Sequence, residues 1–327
     1  MMCEKLNSVT IIIPVRNEEK FIRRCINSLA ELEMPQGLLE PPDTLVVDNN
    51  SSDGTATIAE SAGVLVVSQE AGLVGSVRNR GAGESTSDVL AFIDGDCVVF
   101  PTWLTGGLRA LKDENVGIVG GQCLPNPQGT WVEKAWASSS ISQHPKEVQT
   151  LPGASMIMRR KIFEKVGGFS EDLSAGEDDD ICHKVSGLGL RILSLPECSV
   201  IHLGYPRTLL EVARRQVWHG GSQLDVAQSV LDRQLFLTHA FACGLASLLV
   251  TLAWPSAWTL ALGTAGIGIP TLALAVKKSR GRTHPLSTLT RMIPVALFFY
   301  FGRAFGLVQN YGRLLRINIR KLLRFEP

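Results

Sequence analysis

The chain has 327 residues, a formal net charge of +1 and 45% hydrophobic residues. That length fits one large domain or two modest ones, and the balanced charge excludes a bulk electrostatic footprint for nucleic acid. Seven cysteines are scattered without a CxxC pair, which points to reduced thiols and argues against a zinc site.

In chain order, VTIIIPV at 9–15 is a β-branched run closed by a proline, the pattern of a buried first strand. RNEE opens a helix whose Phe21, Ile22, Cys25, Ile26 and Leu29 follow helical spacing. TLVVD at 44–48 predicts a second strand, and NNSSDGT a turn and helix N-terminus ahead of residues 56–62. Residues 64–67 predict a third strand, 75–84 a helix with Arg78 and Arg80, and 89–93 a fourth strand. Four strands alternating with helices in about 100 residues predict an α/β fold with a parallel, doubly wound sheet. The N-terminus lacks the basic and apolar regions of a secretory signal.

The fourth strand ends in Asp94-Gly95-Asp96. Two carboxylates one residue apart repel unless a cation sits between them, and hard ions such as Mg²⁺ or Mn²⁺ prefer oxygen ligands while keeping positions for phosphate. Asp48 also ends a strand, and strand carboxyl ends are where such sheets bind ligands, so these acids group in one cleft.

Further on, 117–123 and 153–158 read as strands, 161–166 as a short helix, and 126–146 as a polar flap with Trp131 and Trp136. Glu177, Asp178, Asp179 and Asp180 open a helix, more acids than capping alone calls for. Residues 191–195 and 199–202 read as strands, the second ending at His202, and 208–219 as a helix suited to a membrane surface.

From residue 235 the composition changes. Residues 235–253 and 256–276 are nearly free of charge and long enough to cross a bilayer of about 30 Å. Both flanks are basic: Arg214, Arg215 and Arg233 before, Lys277, Lys278, Arg280 and Arg282 after. Both flanks therefore face the cytoplasm, with the soluble domain inside the inner or plasma membrane. The stretch 292–308 contains Arg303 and is short, so it is expected to be interfacial or re-entrant, followed by a basic amphipathic tail at 309–327. The expected division is 1–230 catalytic and 231–327 membrane.

The order of IIIPVRNEE, VVDNNSSDGT, RNRGAGES, FIDGD, GGFSEDLSAGEDDD and VIHLG resembles the family 2 glycosyltransferases of GT-A fold over roughly residues 8–225. The resemblance implies that Pro14, Arg16 and Glu18 hold nucleobase and ribose and that Asp48 reads the base edge. It places Arg78 near the diphosphate, Asp94 on the ribose and metal side, and Asp96 as direct metal ligand. Asp178, paired with Glu177, is implied as catalytic base, and His202 as facing the metal or diphosphate. Two departures stand out: Asn49 replaces a second acid after Asp48, and no QxxRW is present, which argues against processive synthesis.

The resulting expectation is a membrane-anchored, inverting enzyme that uses Mn²⁺ or Mg²⁺. It would move a sugar from a nucleotide-diphosphate donor, UDP favoured, to a hydroxyl of a lipid-linked or saccharide acceptor, with no nucleic acid involved. A polyprenyl-phosphate acceptor is the alternative within the class. A nucleotidyltransferase and a non-catalytic membrane scaffold are alternatives outside it.

Overall fold

A computed structural model describes residues 6–35, 38, 40–137, 142–226, 233–280 and 285–323. The chain forms two compact units, Met1–Asn126 with Ile141–Gly204, and Pro127–Ser140 with Tyr205–Pro327. The first begins with β1 (Val9–Val15), α1 (Ile22–Ala30), β2 (Asp43–Asn49), α2 (Thr55–Glu60), β3 (Leu65–Gln69) and α3 (Val74–Gly83). It continues through β4 (Val89–Ile93), β5 (Cys97–Val99), α4 (Trp103–Ala110), β6 (Val116–Gly120) and β7 (Cys123–Pro125). The second unit takes α5 (Trp131–Trp136), after which the first is completed by β8 (Lys146–Glu147), β9 (Ser155–Arg159), α6 (Arg160–Lys165), α7 (Glu177–Ser186), β10 (Arg191–Ser194) and β11 (Val200–His202). The remainder of the second unit is α8 (Leu209–Val226), α9 (Arg233–Ala253), α10 (Ala257–Ser279) and α11 (Pro285–Leu323).

The main sheet of the first unit has the order β3-β2-β1-β4-β9-β6-β10-β8. β1 is parallel to β2 and β4, as its two-sided apolar sequence requires, whereas β9 runs antiparallel between β4 and β6. Alternate residues feed opposite cores. Ile11, Ile13, Val89, Ala91 and Ile93 face one, and Ile12, Leu90 and Phe92 face the other. Phe92 meets Phe169 edge-on at 5.1 Å in the second core. Gly81 lets α3 lie close on the sheet there, since a Cβ would overlap Ile12. The single strand expected at 117–123 is two. At Gly121 the backbone passes so near the Cys198 carbonyl that a Cβ would overlap it, and β7 leaves for a small sheet ordered β5-β11-β7.

In the second unit α5 starts with a capping box: Thr130 N–H donates to Glu133 Oε2 at 2.5 Å, and Glu133 N–H donates to Thr130 Oγ1 at 3.3 Å. This helix lies in the stretch expected as a flap, of which 138–141 fall outside the described residues. The unit boundary lies after Gly204 rather than near 230, because α8 packs along α11. A Cβ on Gly220 would overlap the Arg303 carbonyl, and one on Gly302 the Ala213 carbonyl. Three helices, Arg233–Ala253, Ala257–Ser279 and Pro285–Arg313, are long and apolar enough to cross a membrane. Leu252 (82%), Trp254 (79%) and Trp258 (80%) are exposed, the face a bilayer and its interface would cover.

The short segment and separate tail expected at 292–308 and 309–327 form one continuous helix in the described residues, α11. Arg303, which with the short length pointed to an interfacial or re-entrant segment, lies inside this helix with partners of its own. Its Nε donates to Gln216 Oε1 at 2.8 Å, and its guanidinium lies 4.9 Å from the centre of the Phe299 ring. Arg282 and Arg324 of the expected basic flanks lie outside the described residues.

Candidate active site

The chain winds from β1 to β2 and β3, then crosses back to place β4 on the far side of β1. Ligands of open α/β sheets bind where the winding reverses, beyond the strand carboxyl ends. The β1–β4 ladder ends at Ile12↔Phe92, while β1 and β2 stay paired to Val15↔Asp48. Pro14 therefore costs no ladder bond on the β4 side, and Asp48 ends the strand on one flank of β1 while Asp94 and Asp96 follow the strand on the other.

Asp48 is 6% exposed. Its Oδ2 accepts from Ser51 N–H at 3.2 Å, and its Oδ1 is buried with no hydrogen-bond partner among the described residues. A buried acceptor left open is costly unless a ligand donor meets it. Asn49 is committed elsewhere. Its Nδ2 donates to Gly72 O at 2.9 Å, and its Oδ1 accepts from Gly72 N–H at 2.8 Å, pinning the loop ahead of α3.

The loops after β1 and β2 are stitched together. Asn17 N–H donates to Ser51 Oγ (3.0 Å), Ser52 N–H to Asn17 Oδ1 (2.8 Å), Glu18 N–H to Thr55 Oγ1 (2.7 Å), Glu19 N–H to Asp53 Oδ2 (3.2 Å) and Gly54 N–H to Glu19 Oε2 (3.1 Å). Asn17 has φ 59° and Asn50 φ 56°, left-handed positions that asparagine tolerates. Within this frame Pro14 is buried in β1, Glu18 half-buried and Arg16 exposed.

Arg78 is the hub of the acids. Only 2% exposed, it donates from Nη2 to Asp94 Oδ1 at 2.8 Å and from Nη1 to Glu177 Oε1 at 2.7 Å. Its guanidinium lies 5.3 Å from the Phe169 ring centre, and the backbone of Gly153 covers it so closely that a Cβ would reach Nη2 at 2.6 Å. The planar fork of Arg suits this double pairing, which the point charge of Lys does not. Arg78 thus reaches the site through Asp94 and Glu177, and the Asp94 side chain remains 32% exposed.

Gly176, at φ 85°, turns the chain into α7, and Glu177 to Asp180 fill its first turn, where the helix dipole favours negative charge. These acids have different duties. Asp180 pairs with Lys184 Nζ at 2.8 Å and accepts from Ser170 Oγ at 2.5 Å, so it fixes the helix. Asp178 Oδ2 accepts from Gly153 N–H at 3.0 Å, and Oδ1 from Asp179 N–H at 3.0 Å, which orients the carboxylate. Burial, reinforced by the charge of Glu177, holds the Asp178 carboxyl above the ordinary carboxylate range.

β11 lies antiparallel to β5, with His202 opposite Cys97. His202 Nε2 comes within 3.6 Å of Asp96 Oδ2. Gly204 keeps the space beside that carboxylate, since a Cβ there would overlap Asp96 Oδ2. An oxygen and an imidazole nitrogen converging where a side chain is excluded fit a divalent cation.

The structure therefore links Asp94, Glu177 and Asp178 through Arg78 and Gly153, and separately joins Asp96 to His202. Gly153, Gly204 and the Asn17–Thr55 stitch were not among the expected site residues. Asparagine, serine and aspartate crowding after two strands is the signal that marks the stitch. For the two glycines, only proximity in the fold reveals the close approach.

Residues 89–302 match the family model described as glycosyl transferase family group 2, and residues 10–167 match glycosyl transferase family 2. Glycosyltransferase AglE of Haloferax volcanii is 29% identical over 256 residues, 75% of this chain and 81% of that protein. The pre-mycofactocin glycosyltransferase of Mycobacterium tuberculosis is 27% identical over 67% of this chain, which spans 47% of that relative's length. Among solved structures, the mannosyltransferase PcManGT from Pyrobaculum calidifontis, in complex with GDP-Man and Mn²⁺, aligns with a TM-score of 0.50 at 19% identity, covering 93% of this chain and 86% of that one. GalNAc-T7, solved with UDP, GalNAc and Mn²⁺, aligns with a TM-score of 0.51 at 18% identity over 71% of this chain and 53% of that one. At these identities the structural likeness is one of fold.

Proposed function

Because the chain belongs to the glycosyl transferase family group 2 and is a glycosyltransferase of GT-A fold, we propose that it is a metal-dependent, inverting, membrane-anchored member. In this reading it moves a sugar from a nucleoside diphosphate donor to a hydroxyl of a lipid-linked or saccharide precursor. The catalytic domain is the first unit, and its side of the membrane is the cytoplasm, because basic residues flank α9 and α10. The observation that carries the reading is the placing of Asp48 on one side of β1 and of Asp94, Asp96 and the Arg78-linked Glu177–Asp178 turn on the other.

Each group has a task. Asp48 offers its open Oδ1 to a donor on the nucleobase edge. Pro14, Arg16 and Glu18 border the base and ribose. Arg78 holds Asp94 toward the ribose and Glu177 behind the base. Asp96 and His202 would hold a divalent cation, which when bound would offset the charge on the departing diphosphate. The Mn²⁺ in the two fold relatives supports this use of a divalent ion.

Asp178 takes the proton of the acceptor hydroxyl as it attacks the anomeric carbon, a contribution of ~10²–10⁴-fold. Its raised pKa makes it a stronger base than a solvated aspartate, and Gly153 N–H and Asp179 N–H fix its direction. One base and one displacement give inversion. The test is Asp178→Asn in the full chain in detergent: transfer disappears while titration calorimetry still records donor binding. Transfer at the wild-type rate refutes the assignment, and release of pyrophosphate in place of nucleoside diphosphate refutes the reaction class.

A further inference from the structure

Cys97 follows the Asp94-Gly95-Asp96 turn directly, and by sequence it reads as one more buried core thiol. The fold keeps it buried in that core and also sets it beside Asp96 and His202. Cys97 and His202 face each other directly across the β5–β11 ladder, and directly opposed residues send their side chains out of the same face. Cys97 Sγ lies 3.6 Å from Asp96 Oδ1, and His202 Nε2 lies 3.6 Å from Asp96 Oδ2. One ligand atom from each of Asp96, Cys97 and His202 falls within 4.8 Å of the others.

The two 3.6 Å spacings, which run to different oxygens of the Asp96 carboxylate, are each that of two ligands on one ion. Ligand atoms 2.1 and 2.3 Å from one tetrahedral ion stand about 3.6 Å apart. The donor set is one carboxylate oxygen, one imidazole nitrogen and one sulfur. Sulfur is a poor ligand for Mg²⁺ and Mn²⁺ and a good one for borderline ions such as Zn²⁺ and Co²⁺. Three protein ligands with one position left for a substrate oxygen is the pattern of catalytic zinc sites.

We propose that Cys97 is a third protein ligand of the metal site and that the site binds Zn²⁺ and Co²⁺ more tightly than Mn²⁺ or Mg²⁺. The proposal rests on the reading of Asp96 and His202 as metal ligands. On binding, the Sγ–H bond breaks, its electron pair forms the metal–sulfur bond, and the proton leaves to solvent. The absence of a CxxC pair does not bear on this site. Its sulfur and nitrogen come from strands that are distant in sequence and adjacent in the small sheet.

The experiment is a Co²⁺ titration of the purified full chain in detergent, followed by absorbance. Wild type is expected to show visible d–d bands of tetrahedral Co²⁺ together with a near-ultraviolet thiolate-to-cobalt charge-transfer band. Cys97→Ser is expected to keep d–d absorption and lose the charge-transfer band. Its Zn²⁺ affinity, measured by competition with a chromophoric chelator, should fall ~10-fold or more, by the scale of lost metal contacts, while its Mn²⁺ affinity stays within a factor of about three, since a hard ion gains little from sulfur. Cys97→Ala guards against a serine hydroxyl substituting as ligand, and circular dichroism of each variant establishes that the fold is kept. Charge-transfer intensity that persists in both variants, or d–d bands without charge transfer in wild type, overturns the role of Cys97 and leaves Asp96 and His202 as ligands. No cobalt spectrum in wild type, with no binding of Mn²⁺ by electron paramagnetic resonance, overturns the metal reading itself.

Discussion

Replacing Arg78 by methionine removes a cation that bonds two carboxylates at once while keeping much of the side-chain volume. Glu177 is 9% exposed at its side chain and Asp94 32%, so the loss falls mainly on the buried Glu177 pair. Breaking a buried ion pair by deleting one partner costs ~3–5 kcal/mol, and the lower end applies where one acid can rehydrate. The cation–π contact with Phe169 at 5.3 Å is lost as well. For a domain of 150–250 residues each kcal/mol moves the melting temperature by about 2–4 °C, so Arg78→Met should melt ~6–12 °C below wild type. The assay is differential scanning fluorimetry of the full chain in detergent, in a cycle with Glu177→Gln. The double variant should recover part of the loss, with a coupling of ~1–3 kcal/mol as expected for residues in contact. Melting of Arg78→Met within about 1 °C of wild type, or strict additivity of the two changes, would refute the hub reasoning.

Asp178 sets a pH limb. Its carboxyl is held above the ordinary range by burial and by Glu177, so kcat/KM, measured across a pH series, should rise with pH through that elevated value. The sign for stability is opposite: the contribution of neutral Asp178 is complete below the ordinary aspartate pKa and is lost as pH rises through the raised one, which melting curves across pH 4–7 would register. Gly204→Ala should force Asp96 aside, because the new Cβ overlaps Oδ2, and should weaken Mn²⁺ binding ~10-fold or more with little change in secondary structure, read by paramagnetic resonance and circular dichroism. Asp48→Ala should remove discrimination among nucleoside diphosphates by about 1–3 kcal/mol, measured as the spread of dissociation constants across a panel, since a base donor then meets no acceptor.

Much of the scaffold was written locally. The two-sided apolar run of β1, the alternation that sends Ile12 one way and Ile11 and Ile13 the other, and the charge-free lengths of α9 and α10 are all properties of neighbouring residues. Asp48 and Asp94 stand out in the sequence because strands end at them, and Glu177 to Asp180 because they open a helix. Their connections do not: Arg78 is 16 residues from Asp94 and 99 from Glu177, and no spacing rule links such positions. Arg303 was hard to place for a similar reason. Its charge counts against an apolar segment when read locally, whereas Gln216, 87 residues away, supplies it an acceptor. The splitting of 117–123 depends on Gly121 meeting Cys198, again a long-range contact.

The seam between Asn17–Glu19 and Ser51–Thr55 has a consequence for how substrate preference can change. Bonds made within the chain hold that rim before any visitor arrives, so little ordering entropy is charged against affinity on that flank. On the proposed reading, variation that alters which sugar is carried can then accumulate on the opposite bank, while the half assigned to the nucleoside stays cast in one shape.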